Sequence, residues 1–235
     1  WGVSGDFKRA ADPTCPPFHP EPVDVWLTEC TFGLPVYRWP APEQVIDEIL
    51  QWWRDCRKAN RPAVLFCYAL GKAQRILAEL AGRTDEAVWL HGAMRPLVDA
   101  YREAGVAMLP TRLVSEAEKA EKFAGQLVLA PPSAAGSTWM RRFPGHSAGF
   151  VSGWMRIRGN RRRRGYDRGF VMSDHADWPA LVDTVADMKA SRVITIHGNG
   201  EALAGYLGAR GLQTESWNLR ATLADSAKNR PASPA

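Results

Sequence analysis

Five residues of the 235-residue chain have the side chains of a hydrolytic or metal-binding centre: Asp6, Glu29, His175, Asp177 and His197. Each stands at the end of a short apolar or β-branched run, in Ser4-Gly5-Asp6, Thr28-Glu29-Cys30-Thr31, Ser173-Asp174-His175-Ala176-Asp177 and His197-Gly198. A carboxylate and an imidazole at neighbouring strand ends can hold a divalent cation or pass a proton. Plainer readings compete. Asp6 also reads as a turn residue and Glu29 as a surface carboxylate. Asp177 is best read as the N-cap of a helix that starts at Trp178-Pro179. His175 and His197 are harder to reduce to such roles, because each follows an apolar strand and precedes a small residue. His19, among prolines, His91, at a strand end, and His146, in a glycine-rich loop, carry less signal.

A second group suits phosphate. Gly71-Lys72 lies between a strand and a helix, where backbone N–H groups, the helix dipole and an ammonium meet an anion. Arg75 belongs to the same segment. This is no Walker motif, and a tight turn with an exposed lysine explains it equally. Ser133 and Ser137 offer hydroxyls in a loop of small residues, and Arg141 and Arg142 follow them. The chain carries a net charge of +5, unevenly spread: from Arg156 to Arg168 there are seven arginines and one acid, Asp167. That segment contains Arg161, Arg162, Arg163 and Arg164, and such density suits a polyanion partner or a solvated loop. Trp139, Trp154 and Trp178 are candidates for base stacking, although core packing is the commoner use of tryptophan in an α/β protein.

The elements that must position these groups alternate in type. Strands are expected at Ala63 to Tyr68, Val88 to Leu90, Gln126 to Ala130, Phe150 to Ser152, Gly169 to Ser173 and Arg192 to His197. Helices are expected at Glu43 to Ala59, Lys72 to Ala81, Arg95 to Ala104, Trp178 to Ala190 and Glu201 to Arg210. Pro42 suits a first turn, and Gly82, Gly105 and Gly211 suit helix ends. The alternation predicts an α/β class with a largely parallel sheet, whose ligands gather at the carboxyl ends of strands. From Ala221 the chain reads as a disordered tail. Cys15, Cys30, Cys56 and Cys67 form no C-x-x-C pair, which speaks against a zinc knuckle and for a reduced, cytoplasmic setting. No apolar run has the length of a membrane span.

Taken in order, Ser4-Gly5-Asp6-Phe7-Lys8-Arg9, Asp12-Pro13-Thr14-Cys15, Thr28-Glu29-Cys30-Thr31-Phe32-Gly33, Ser173-Asp174-His175-Ala176-Asp177 and Ile196-His197-Gly198 resemble the later motifs of metallo-β-lactamase/β-CASP nucleases. Leu34 to Pro40, Ala69 to Arg75, Ala130 to Ser133 and Arg161 to Arg164 resemble one bacterial branch of that family, the DNA ligase-associated exonucleases. The resemblance covers roughly residues 1 to 217.

It implies a metallo-β-lactamase (αββα-type) portion with an inserted α/β β-CASP cap domain. Residues 1–40 and 148–220 would be the two segments of the metallo-β-lactamase domain, 41–147 the cap and 221–235 the tail. It also implies two divalent metal ions, expected to be zinc. Asp6 would bridge them and His197 would ligate the second. Glu29 would orient His175, and His175 would be the general acid. Lys72, Arg75, Ser133, Ser137, Arg141, Arg142 and Arg161 to Arg164 would hold the nucleic acid. The family's His-x-His-x-Asp-His motif is absent from residues 1–235; it is expected upstream of Asp6, so that the chain starts inside a domain and is inactive alone. The activity implied is exonucleolytic processing of DNA ends in repair, in functional partnership with a DNA ligase and helicase and away from membranes. RNA is the alternative substrate, since RNA-directed members carry a histidine where His197 stands. A non-catalytic scaffold subunit is the third reading, and retention of Asp6, Glu29, His175 and His197 argues against it.

Overall fold

The computed structural model describes residues 1–157, 159 and 165–217. In chain order the strands are β1 (Gly2–Val3), β2 (Val25–Glu29), β3 (Ala63–Phe66), β4 (Val88–Leu90), β5 (Thr111–Leu113), β6 (Leu127–Ala130), β7 (Ser147–Val151), β8 (Arg168–Phe170), β9 (Arg192–Ile196) and β10 (Gln213–Trp217). The α-helices are α1 (Pro42–Lys58), α2 (Lys72–Ala81), α3 (Arg95–Glu103), α4 (Trp178–Met188) and α5 (Gly200–Gly208). Among the described residues every strand pairing is parallel, in two sheets ordered β1-β2-β9-β10 and β5-β4-β6-β3-β7-β8. The α/β class with parallel pairing is therefore as expected. Among the described residues no helix is long and apolar enough to cross a membrane.

The chain divides into two compact units. The first comprises Trp1–Arg9, Phe18–Arg38 and His175–Ala235, and the second Ala10–Pro17 and Trp39–Asp174. This moves one expected boundary. Residues 148–174, expected with the flanking domain, stay with the second unit because β7 pairs with β3 and β8 with β7, completing the six-stranded sheet. The residues before Trp39 that join this unit, 10–17, are held by Asp12, whose carboxylate lies 3.4 Å from the Arg75 guanidinium.

In the second unit β3 and β6 are buried along their whole length, as central parallel strands covered on both faces must be. Helix α1 covers one face. Its Val45, Ile46, Ile49, Leu50, Trp53 and Cys56 recur at helical spacing and are buried, Pro42 opens its first turn, and Arg57 and Lys58 complement the dipole at its end. In the first unit α4 buries Trp178, Leu181, Val185 and Met188 in a cluster with Trp26, Val193, Leu203 and Leu207. Asp177 caps this helix by accepting a hydrogen bond from the Ala180 N–H at 3.0 Å. Trp178 is thus a core residue, in edge-to-face contact with Tyr206. Strands β5 and β10 were not anticipated. Their sequences, Thr-Arg-Leu and Gln-Thr-Glu-Ser-Trp, are polar because both lie at sheet edges.

Candidate active site

Parallel pairing gathers the carboxyl ends of β1, β2 and β9 at one edge of the first unit's sheet. Ser4 extends the β1–β2 ladder, its N–H donating to the Leu27 carbonyl at 3.0 Å. The Ser4 hydroxyl accepts from the Glu29 N–H at 3.2 Å and donates to the Gly5 carbonyl at 2.6 Å. Gly5 has φ +57°, the left-handed turn that delivers Asp6. One short hydroxyl thereby ties the Asp6 turn to the end of β2.

Glu29 is almost completely buried, at 1 % exposure. Its Oε2 accepts from the Thr31 N–H at 2.8 Å, and its Oε1 lies 3.1 Å from His175 Nδ1. Burial alone would raise the Glu29 pKa. The hydrogen bonds from His175 and the Thr31 N–H outweigh that penalty and hold it below its ordinary value. Glu29 is therefore ionised at neutral pH, with both oxygens committed. An ionised carboxylate on Nδ1 fixes the imidazole's orientation and assigns the reactive role to Nε2. The ring is also held edge-on by Phe32, at 5.8 Å between centroids, and Phe32 is itself buried against Tyr37.

Asp6, Glu29 and His175 come together. Their ligating atoms lie within 4.8 Å of one another, with Asp6 Oδ1 3.8 Å from His175 Nδ1. Asp6 is exposed and Glu29 buried, so the two carboxylates play different parts: one faces solvent and its solutes, the other braces the imidazole. His197 follows the strand paired with β2, one residue beyond the Glu29–Ile196 register pair, and is exposed. It has φ +62°, uncommon for a residue with a side chain. Gly198 also has φ +62°, and a Cβ there would lie 2.3 Å from the Cys30 carbonyl oxygen.

Cys30, between Glu29 and Thr31, escaped the sequence reading. It is fully buried, and its thiol donates to the carbonyls of Ile196 and His197. Burial and the adjacent Glu29 charge push the thiol up to about 12, so it remains a protonated donor at neutral pH. The spacing of Thr28-Glu29-Cys30-Thr31 placed it at a strand end, but its partners on residues 196–199 emerge only from the β2–β9 register.

Of the residues expected to hold phosphate, Lys72 and Arg75 are buried at 3 % and 2 % exposure. The Lys72 ammonium lies 2.8 Å from Asp174, and Arg75 donates to the Ser173 carbonyl at 3.1 Å. Burial lowers the Lys72 pKa, and the Asp174 carboxylate partly restores it. These cations cross-link the second unit internally. Ser133 and Ser137 are exposed in the loop after β6, with the Ser137 hydroxyl donating to the Ala134 carbonyl. Arg141 is exposed, whereas Arg142 reaches the Glu118 carbonyl and stacks over Phe123. Trp139 and Trp154 are half-buried against the cluster around Phe66 and Phe150. Arg161 to Arg164 and the tail from Ala221 lie outside the described residues.

Over 220 residues the chain is 35 % identical to a protein named Probable DNA ligase from Opitutus terrae (strain DSM 11246 / JCM 15787 / PB90-1). It is similar to one stretch of that protein. The match takes in 92 % of this chain and 21 % of the relative, so the chain spans about a fifth of the relative's length. A solved protein of unknown function from Enterococcus faecalis V583 superposes with a TM-score of 0.50 over 84 % of this chain and 50 % of its own, at 11 % identity. At that identity the likeness concerns the fold alone. No family model matches the chain.

Proposed function

We propose that the chain carries part of the catalytic centre of a metal-dependent phosphodiesterase that trims DNA ends in association with a DNA ligase. The observation that carries this reading is the Glu29–His175 pair at 3.1 Å with the Asp6 carboxylate beside it. In the same reading the first unit belongs to a metallo-β-lactamase portion and the second to a β-CASP cap. The similarity to a stretch of a probable DNA ligase supports DNA as substrate and ligation as the linked activity.

The Asp6 carboxylate, with the His175 imidazole and the buried Glu29 beside it, offers the oxygen and nitrogen donors that a divalent cation such as zinc takes, and His197 stands outside this cluster. Asp6 and His197 would hold metal, and further ligands would come from residues outside this set. When bound, a pair of divalent ions supplies a nucleophile at neutral pH and charge stabilisation at phosphorus. The residues of this chain supply the rest. His175, held on Nδ1 by the ionised Glu29, presents Nε2 as the acid that protonates the departing oxygen. Glu29 stabilises the imidazolium form that this step requires, and its own burial keeps water from loosening the pair. Arg141, Ser133, Ser137 and Arg161 to Arg164 are the groups proposed to contact the strand.

The test is end-labelled DNA incubated with the protein expressed from its whole gene. Digestion that stops with a chelator and returns on adding zinc or manganese supports the reading. RNA digested in preference to DNA would reassign the substrate, and digestion indifferent to chelator would remove the metal centre.

A further inference from the structure

We infer that Cys30 is a positioning residue that sets the place of His197, and through it the metal-binding competence of the site. The inference rests on the proposed role of His197 as a ligand and assigns a function to a residue that touches no substrate.

The chain around Cys30 is tied to residues 196–199 through its backbone, its thiol and its packing. The Cys30 N–H donates to the Ile196 carbonyl at 3.0 Å, continuing the β2–β9 ladder. The Cys30 carbonyl accepts from the Asn199 N–H at 3.2 Å and from the Gly33 N–H at 2.9 Å. Its single S–H is shared between the Ile196 carbonyl, at 3.2 Å, and the His197 carbonyl, so one side chain addresses both carbonyls that flank the His197 N–H. Finally, Gly198 packs so closely on the Cys30 carbonyl that only a glycine fits. Between these fixed points His197 holds φ +62°, which a residue with a Cβ enters only at a cost. Such a conformation persists where its surroundings over-determine it.

The backbone hydrogen bonds tie residues 196 and 199 and leave the His197 carbonyl to the thiol. Removing the thiol therefore releases the one link made directly to His197 among the described residues. The same short segment braces the other histidine, because Glu29 and Thr31, either side of Cys30, form the carboxylate clamp on His175. Cys30 thus couples the placement of His197 to that of the Glu29–His175 pair.

Cys30→Ala and Cys30→Ser separate this role from simple core filling. Serine retains a donor in a smaller side chain; alanine retains neither. Zinc affinity of the protein from its whole gene should fall about 10–100-fold in Cys30→Ala and recover substantially in Cys30→Ser, the range seen when groups supporting a metal ligand are removed. The rate at saturating DNA should fall with it while KM stays put. On a His197→Ala background Cys30→Ala should cause no further loss of zinc affinity. Equal losses on both backgrounds, or no recovery with serine, would overturn the inference. If His197→Ala binds zinc as tightly as the wild type, it is the ligand role of His197 that fails. Should Cys30→Ala fail to fold, infrared spectroscopy of the wild type decides. The S–H stretch assigned to Cys30 by its loss in Cys30→Ser must lie at the lower frequency of a hydrogen-bonded thiol; a free-thiol frequency refutes the inferred hydrogen bond.

Discussion

Replacing Gly198 with alanine tests whether the turn after β9 is as tightly seated as the geometry requires. The added Cβ would lie 2.3 Å from the Cys30 carbonyl oxygen and 2.6 Å from the Thr31 Cα, where ordinary contact begins at 3.4 Å. Both neighbours are backbone, so relief needs a shift of roughly 1 Å between two loops, at an overpacking cost of about 1–3 kcal/mol. The left-handed conformation, φ +62°, adds about 1–2 kcal/mol for any residue with a Cβ. Loss of glycine's freedom in the unfolded chain returns about 0.4–1 kcal/mol. The net expectation is a destabilisation of about 3 kcal/mol. Gly211→Ala, in the same unit, is the control: φ is +91° and the Cβ meets nothing within 4 Å. It should cost about 1 kcal/mol, since only the conformational contributions apply. Urea unfolding followed by tryptophan fluorescence reads both, and the gap of about 2 kcal/mol corresponds to roughly a 30-fold difference in unfolding constant. If Gly198→Ala unfolds within about 0.5 kcal/mol of Gly211→Ala, the seating of residues 198 and 30 is wrong, and with it the argument for Cys30.

Glu29 gives a pH signature of defined sign. Its folded-state pKa lies below the ordinary 4.5, so its ionised form stabilises the protein above pH 4.5 and that contribution disappears as pH falls through the folded value. Wild type should therefore exceed Glu29→Gln in stability at pH 7 by on the order of 1–3 kcal/mol, with the gap closing as pH falls well below 4.5; a gap that survives undiminished there refutes the assignment. Lys72→Met removes the nearest cation from Asp174, leaving Arg75 at 3.9 Å, and should cost about 2–3 kcal/mol, less than a wholly buried pair because Asp174 is one-third exposed. An unchanged denaturation midpoint would return Lys72 to the solvent-facing role. Arg161 to Arg164 replaced by alanine should weaken DNA binding and flatten the log–log salt dependence by about 0.9 for each phosphate left without its arginine; an unchanged slope makes the run a solvated loop.

The sequence discloses some of this arrangement and conceals the rest for identifiable reasons. Central strands such as Val64-Leu65-Phe66 and Val193-Ile194-Thr195-Ile196 announce themselves, because burial on both faces leaves continuous apolar or β-branched runs. Strand ends then mark Glu29, His175 and His197 as candidates. That Glu29 and His175 form a pair follows from no local pattern; family resemblance suggested it and the packing of α4 beside β2 brings the two side chains together. The burial of Lys72 is hidden, because Gly-Lys after a strand looks alike whether the ammonium meets solvent or a carboxylate. Its partner, Asp174, and the Arg75 partners Ser173 and Asp12, are distant in sequence. That residues 148–174 pack within the second unit is hidden for a similar cause: a short strand carries no mark of which sheet will receive it.

The central claim is that His175, braced by Glu29, protonates the leaving oxygen. The direct test compares His175→Ala with wild type on DNA and on a nucleotide p-nitrophenyl phosphodiester, under the same metal concentration and at saturating substrate. The sugar hydroxyl released from DNA needs a proton and p-nitrophenolate does not. His175→Ala should lose about 10²–10⁴ in rate on DNA and far less on the activated ester. Equal losses on both substrates, or full activity on DNA, would contradict it.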